Sequence, residues 1–153
     1  MIIEILIIMK AKIALILAAT LFAFVSCKEE DIIITETETN GLEIEITGLR
    51  SNEGVIQLEL TDEKENHLQS FTSEIKSKKS IITISSLSYG TYAFKYFHDQ
   101  NSNKELDANL GIPQEGYGFS NNATGVFGPP KIEDMIFEYD APLKMICTIT
   151  YLF

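Results

Sequence analysis

The chain has 153 residues, 45% of them hydrophobic, and a formal net charge of −10 at pH 7. That length suits one domain once a leader is set aside. So acidic a surface excludes nucleic acid and anionic lipid head groups as natural partners and favours divalent cations.

Residues 1–26 read as a signal peptide of the lipoprotein type. Lys10 and Lys12 form a short basic region, and Ile13 to Val25 is an apolar run broken only by Thr20. The run ends in Phe24-Val25-Ser26-Cys27, and a small residue before a cysteine at that place resembles a bacterial lipobox. Cys27 is then the lipidated mature N-terminus. The competing reading is an uncleaved membrane helix, but the stretch from Ala11 to Cys27 falls short of the roughly 20 apolar residues a span needs. Met9 is a more natural start than Met1. The acidic run Lys28-Glu29-Glu30-Asp31 resembles a surface-export signal of bacterial outer-membrane lipoproteins, and it reads equally well as a solvated tether. Residues 27–40 form that lipidated tether, and residues 41–153 a single domain. The expectation is an exported protein held in the cell envelope by its lipid, at the outer membrane. Of the two cysteines, Cys147 has no partner and sits in an apolar pattern, so it reads as a small buried hydrophobe. A domain without disulfides rests on its core or on a metal.

The domain reads as strands. Leu42 to Thr47 and Ile56 to Thr61 alternate apolar and polar residues, which marks half-buried strands, and Gly48 to Gly54 connects them. Further strands are expected at His67–Ile75, Ser80–Ser85, Thr91–His98, Met135–Tyr139 and Met145–Tyr151. No segment after Cys27 sustains a helical apolar period. About seven short strands in one domain predict an all-β fold, an antiparallel β-sandwich of immunoglobulin-like or prealbumin-like kind, with one long ordered loop. Alternation assigns Ile44, Ile46, Ile56, Leu58, Leu60, Ile82, Ile84, Phe94, Tyr96, Phe137 and Ile149 to the core. Ala93 and Phe97 replace Phe94 and Tyr96 if the phase at Thr91–His98 is reversed. Leu87-Ser88-Tyr89-Gly90-Thr91-Tyr92 resembles the turn-and-aromatic-strand opening of prealbumin-like sandwiches, whose next feature is an Asp-rich loop.

That loop begins at His98-Asp99. Asp99, Asn101 and Asn103 stand at alternate positions, Glu105 offers a backbone carbonyl, and Asp107 follows. A calcium ion takes six to eight oxygens, and alternate side chains of a short loop supply them when they turn inward. Leu110 occupies the place where an EF-hand has its bidentate Glu, and the preceding element is a strand, so only the first half of that geometry is shared. Glu115 and Asn121 are candidates to close the shell. Affinity should fall in the weak extracellular range, about 10⁻⁴ to 10⁻³ M. The alternative is a metal-free turn in which Asn and Asp bond their own backbone. The non-strand stretch from Asp99 to Glu133 is long, about 35 residues, and such loops tend to be functional. Tyr117, Phe119 and Phe127 are expected to plug the open end of the sandwich, and with His98 they otherwise form a surface for a protein or glycan partner.

From Leu87 to Tyr151 the chain resembles the bacterial domain of unknown function family 2141. The marks are Gly90-Thr91-Tyr92-Ala93, His98-Asp99 with Asn101, Asn103 and Asp107, then Gly111-Ile112-Pro113 and Glu115-Gly116-Tyr117-Gly118-Phe119-Ser120-Asn121-Asn122. Pro129-Pro130 and a closing strand ending in Tyr151 complete them. Lys104 stands where the family usually has Gly. The resemblance implies an exported, all-β domain and no established activity.

Catalytic signals are sparse. There are two histidines, no nucleophile elbow and no Gly-rich phosphate loop. Zinc is disfavoured without a Cys/His cluster. The reading is a lipid-anchored envelope β-sandwich with a calcium-stabilised loop, acting as a monomeric binding or structural module. The alternative is a hydrolase-like envelope enzyme using His98 and the loop carboxylates.

Overall fold

The computed structural model describes residues 41–153. The leader, Cys27 and the tether lie outside the described residues. Ten strands follow in order: β1 Leu42–Thr47, β2 Val55–Asp62, β3 His67–Glu74, β4 Ser80–Ile84, β5 Gly90–Asp99, β6 Ala108–Asn109, β7 Ile112–Pro113, β8 Tyr117–Phe119, β9 Phe137–Tyr139 and β10 Leu143–Thr148. Seven overlap the expected strands, the last, β10, starting and ending earlier than expected. The three short ones, β6, β7 and β8, arise inside the long loop, where each is too brief to show a period. A four-residue helix, α1 Ile132–Met135, takes Met135 out of the strand expected there.

Two sheets share one core. One has the order β10-β1-β4 and the other β3-β2-β5-β8, with β9 also paired to β5. β6 and β7 form a separate hairpin. The fold is all-β and sandwich-like, as expected. One pairing departs from the antiparallel rule: β1 runs parallel to β10, with Leu42 opposite Leu143 and Thr47 opposite Thr148. A parallel partner cannot arrive through a tight turn, so it comes from the far end of the chain.

All eleven assigned core residues are buried, from Ile44 to Ile149. Each fully buried aliphatic side chain contributes about 1.5 to 3 kcal/mol before chain entropy is subtracted. Phe94 and Tyr96 face inward while Phe97 is half-buried on the outside, which settles the phase of β5. Leu42, Leu49, Ile75, Tyr139 and Cys147 join the core. The Tyr96 hydroxyl donates to the Thr148 carbonyl at 3.0 Å, tying the two sheets together.

Two glycines permit close approaches. Gly54 has φ +71°, and a methyl there would strike the Asp99 carbonyl oxygen. Gly118 lies on the Tyr96 ring, where any side chain would collide. Phe127, expected as part of the plug, is 99% exposed instead. The plug reading therefore fails for it.

Candidate functional site

Asp99 ends β5 in the outward phase, yet it is fully buried, because the following loop folds back over it. Its Oδ1 accepts the Asn103 backbone N–H at 3.0 Å. Its Oδ2 accepts the Lys104 N–H at 2.9 Å and the Gln57 side-chain amide at 3.0 Å. Gln57 is held in turn by the Thr72 hydroxyl, which donates to its Oε1 at 2.7 Å. A buried carboxylate needs such donors, since an unpaired charge at that depth is costly.

The rest of the loop closes around Asp107. The Asn101 side-chain amide donates to its Oδ2 at 2.7 Å, and that of Asn103 to its Oδ1 at 3.0 Å. Asn101 Oδ1 accepts the Asn103 N–H at 3.0 Å, and Asn103 Oδ1 accepts the Glu105 N–H at 2.8 Å. Glu115 is buried beneath the loop and accepts the N–H groups of Gln100 at 2.8 Å and Asp107 at 3.1 Å. Asp99, Asn101, Asn103, Asp107 and Glu115 thus belong to one network. The Glu105 side chain is exposed, which leaves its backbone as its contribution. Ser102 and Lys104 take left-handed backbone, with φ of 60° and 68°. Each such residue costs about 1 to 2 kcal/mol relative to the right-handed region, and the side-chain bonds to the backbone offset that cost. Among the described residues, no three His, Cys, Asp or Glu side chains form a metal-holding group. The oxygens of this network belong to three carboxylates, two amides and the backbone.

Asn121 is placed elsewhere. Its amide donates to the Ile136 carbonyl at 2.8 Å and the Met135 carbonyl at 3.2 Å. Neighbouring Asn122 accepts the Thr148 N–H at 2.7 Å and donates to the Ile146 carbonyl at 3.2 Å, which covers the open edge of β10. Ser120 donates to the Met135 carbonyl at 2.7 Å and accepts the Phe94 N–H at 3.1 Å. The Ser-Asn-Asn run is a clamp between elements, and Asn121 does not reach the Asp99 loop.

His98 is fully buried on the face of β5 opposite Asp99. Nε2 meets the Glu53 carbonyl at 2.7 Å, so it carries a proton. Nδ1 meets the Tyr151 hydroxyl at 2.7 Å and accepts from it in the neutral ring. Burial raises the Tyr151 pKa, and the Arg50 guanidinium lies 4.1 Å from the centre of its ring. Both His98 nitrogens are engaged, and the ring is separated from the loop carboxylates and from the surface it was expected to share with Tyr117 and Phe119.

Tyr117 and Phe119 are half-buried on the outer face of the larger sheet, rings edge-on with centroids 6.0 Å apart. The residue missing from the sequence reading is Gln57. It is an outward residue of an ordinary strand, and nothing in an alternating pattern marks which of those will meet a loop.

A family model described as "Uncharacterized protein conserved in bacteria (DUF2141)" matches residues 44–146. No curated protein matches the chain, and no solved structure does.

Proposed function

The chain belongs to this bacterial family of uncharacterized proteins, and we propose that it is a lipid-anchored module of the cell envelope whose Asp99–Asp107 loop closes on calcium. The address rests on the leader that ends at Cys27. The metal rests on one observation: the side chains of Asp99, Asn101, Asn103 and Asp107 converge in a single network while Ser102 and Lys104 hold the sharp turns. A carboxylate oxygen has lone pairs enough to accept an N–H and ligate a hard cation together. Rotating the Asn101 and Asn103 amides away from Asp107 would turn oxygens inward in their place. Glu105 adds its carbonyl, and buried Glu115 holds the far end of the loop.

Calcium at ten times a millimolar Kd stabilises the folded state by about 1.4 kcal/mol. The melting temperature should rise by about 4 to 8 °C for a domain of this size. Magnesium should do less, because it demands rigid octahedral geometry and keeps its water. The test compares melts in chelator and in calcium for wild type and Asp107→Asn. Asp107 suits the purpose because, unlike Asp99, it is not part of the buried framework. An unchanged wild-type melt, or a full calcium shift in Asp107→Asn, would sink the metal reading and leave a self-bonded turn.

A further inference from the structure

We infer that two charge-free loop tips, Leu110–Gly111 and Val126–Phe127, dip into a zwitterionic lipid surface. The inference rests on the envelope reading above for the presence of a bilayer, and on the tips themselves for the contact.

The tips break the ordinary rule for exposed loops. Leu110 is 96% exposed, Val126 90% and Phe127 99%. No charged residue occurs in residues 108–113 or 116–130, although 22% of the chain is charged. A methyl group added to Gly111 or Gly128 would meet nothing within 4 Å, so both tips stand clear of the domain. Leu110 and Gly111 are the two turn residues of the β6–β7 hairpin, with positive φ of 51° and 79°. Such a turn ordinarily takes Asn-Gly, and a bulky residue rarely accepts its first position. Folding gains nothing from a leucine there, since its side chain is in water. The roots of the two tips are neighbours: Lys104 and Leu106 below one, and Pro129 below the other, line a single groove.

These are convex apolar knobs on two separate loops. A protein partner would need a matched socket for each, whereas a bilayer accepts knobs of any shape. What a bilayer does demand is that buried backbone be satisfied. The hairpin meets that demand, with Ala108 paired to Pro113 and Asn109 to Ile112. Three of the chain's four prolines, Pro113, Pro129 and Pro130, lie in these loops and have no N–H to satisfy. Exposed Lys104 and Lys131 stand beside the loops. Long cationic side chains there reach headgroup phosphates while their stems follow the apolar boundary. The net charge of −10 selects zwitterionic over anionic headgroups. Insertion is shallow, since each tip offers only one or two apolar side chains.

The chain contains no Trp, so one introduced indole reports its own place. The full chain is reconstituted with vesicles of phosphatidylethanolamine and phosphatidylcholine, carrying Leu110→Trp, Phe127→Trp or Tyr89→Trp. Tyr89 is exposed at the other end of β5 from the Asp99 loop. Emission from positions 110 and 127 should shift to the blue and be quenched by lipid brominated on its acyl chains. Emission from position 89 should do neither. In the Phe127→Trp chain, adding Leu110→Asn suits the turn and removes the knob. The melting temperature should hold or rise, while the inserted-to-free ratio at position 127 falls about tenfold. Unshifted emission at both tips overturns the inference and leaves a protein partner as the occupant. Equal quenching at position 89, full quenching after Leu110→Asn, or quenching only in phosphatidylglycerol vesicles overturns it as well. Fatty-acid incorporation at Cys27 is measured separately, so a chain without the anchor and a chain whose tips stay in water are told apart.

Discussion

Asp99 is the residue on which the loop hangs. Its carboxylate answers two backbone N–H groups of the loop and one amide of the sheet, all in a buried position. Hydrogen bonds to a charged group contribute about 1.5 to 3 kcal/mol each, and removing the acceptor leaves buried donors unanswered. Asp99→Ala should therefore lose roughly 3 kcal/mol or more, with or without calcium. Urea unfolding of wild type and variant in chelator checks this, and a loss near zero would mean the loop is organised by something else. The residue types were legible from the start: oxygen-bearing side chains at alternate positions announce a loop that needs internal partners. Their actual partners were not. Gln57 is 42 residues away in sequence and meets Asp99 only because β2 and β5 pair in one particular register.

At the scale of an element, β1 shows how an outward residue can tie a sheet. Glu45 is on the central strand of its sheet and bonds Lys79 at 2.7 Å and Lys144 at 3.1 Å, from the two flanking sides. The Lys79 hydrogen bond, then that of Lys144, holds its carboxyl below the ordinary value of 4.5. A lowered folded pKa contributes stability that is complete above the ordinary value and lost as pH falls through the folded one. Glu45→Gln should be less stable than wild type at pH 7, and the gap should close as both are taken toward pH 3. Urea midpoints at the two pH values test it; a gap that persists in acid would assign the loss to packing rather than charge. Alternation showed that Glu45 points outward, since Ile44 and Ile46 are core. Which lysines answer it depended on the strand order β10-β1-β4, which local pattern does not encode.

For the whole molecule, the last strand completes the fold. β10 lies along β1 in parallel, Cys147 and Ile149 enter the core, and Tyr151 reaches back to His98. The β1–β10 pairing spans about a hundred residues of chain and the Tyr151–His98 bond 53, and both form only after the intervening strands are placed, which makes ordering them entropically expensive. Removing residues 141–153 should abolish the cooperative urea transition and the near-ultraviolet dichroism of the buried aromatics. Removing only Leu152 and Phe153, both exposed, should leave them intact. A cooperative transition in the longer deletion would show that the larger sheet folds by itself.

The sequence by itself determined seven of the ten strands, their buried faces and the place of the loop. Those properties follow from a period of two, from β-branched and aromatic residues, and from Gly and Asn at breaks, all local to a few residues. Only the tertiary structure decided that β1 takes a parallel partner, that Asn121 clamps the Met135–Ile136 carbonyls, and that His98 turns inward to Tyr151. It also decided that Lys104 walls a groove floored by residues of three strands. The physical reason is the same in each case. Polar side chains are chosen by whichever donor or acceptor the distant chain brings within about 3 Å, and that partner is set by register and strand order rather than by neighbours in sequence.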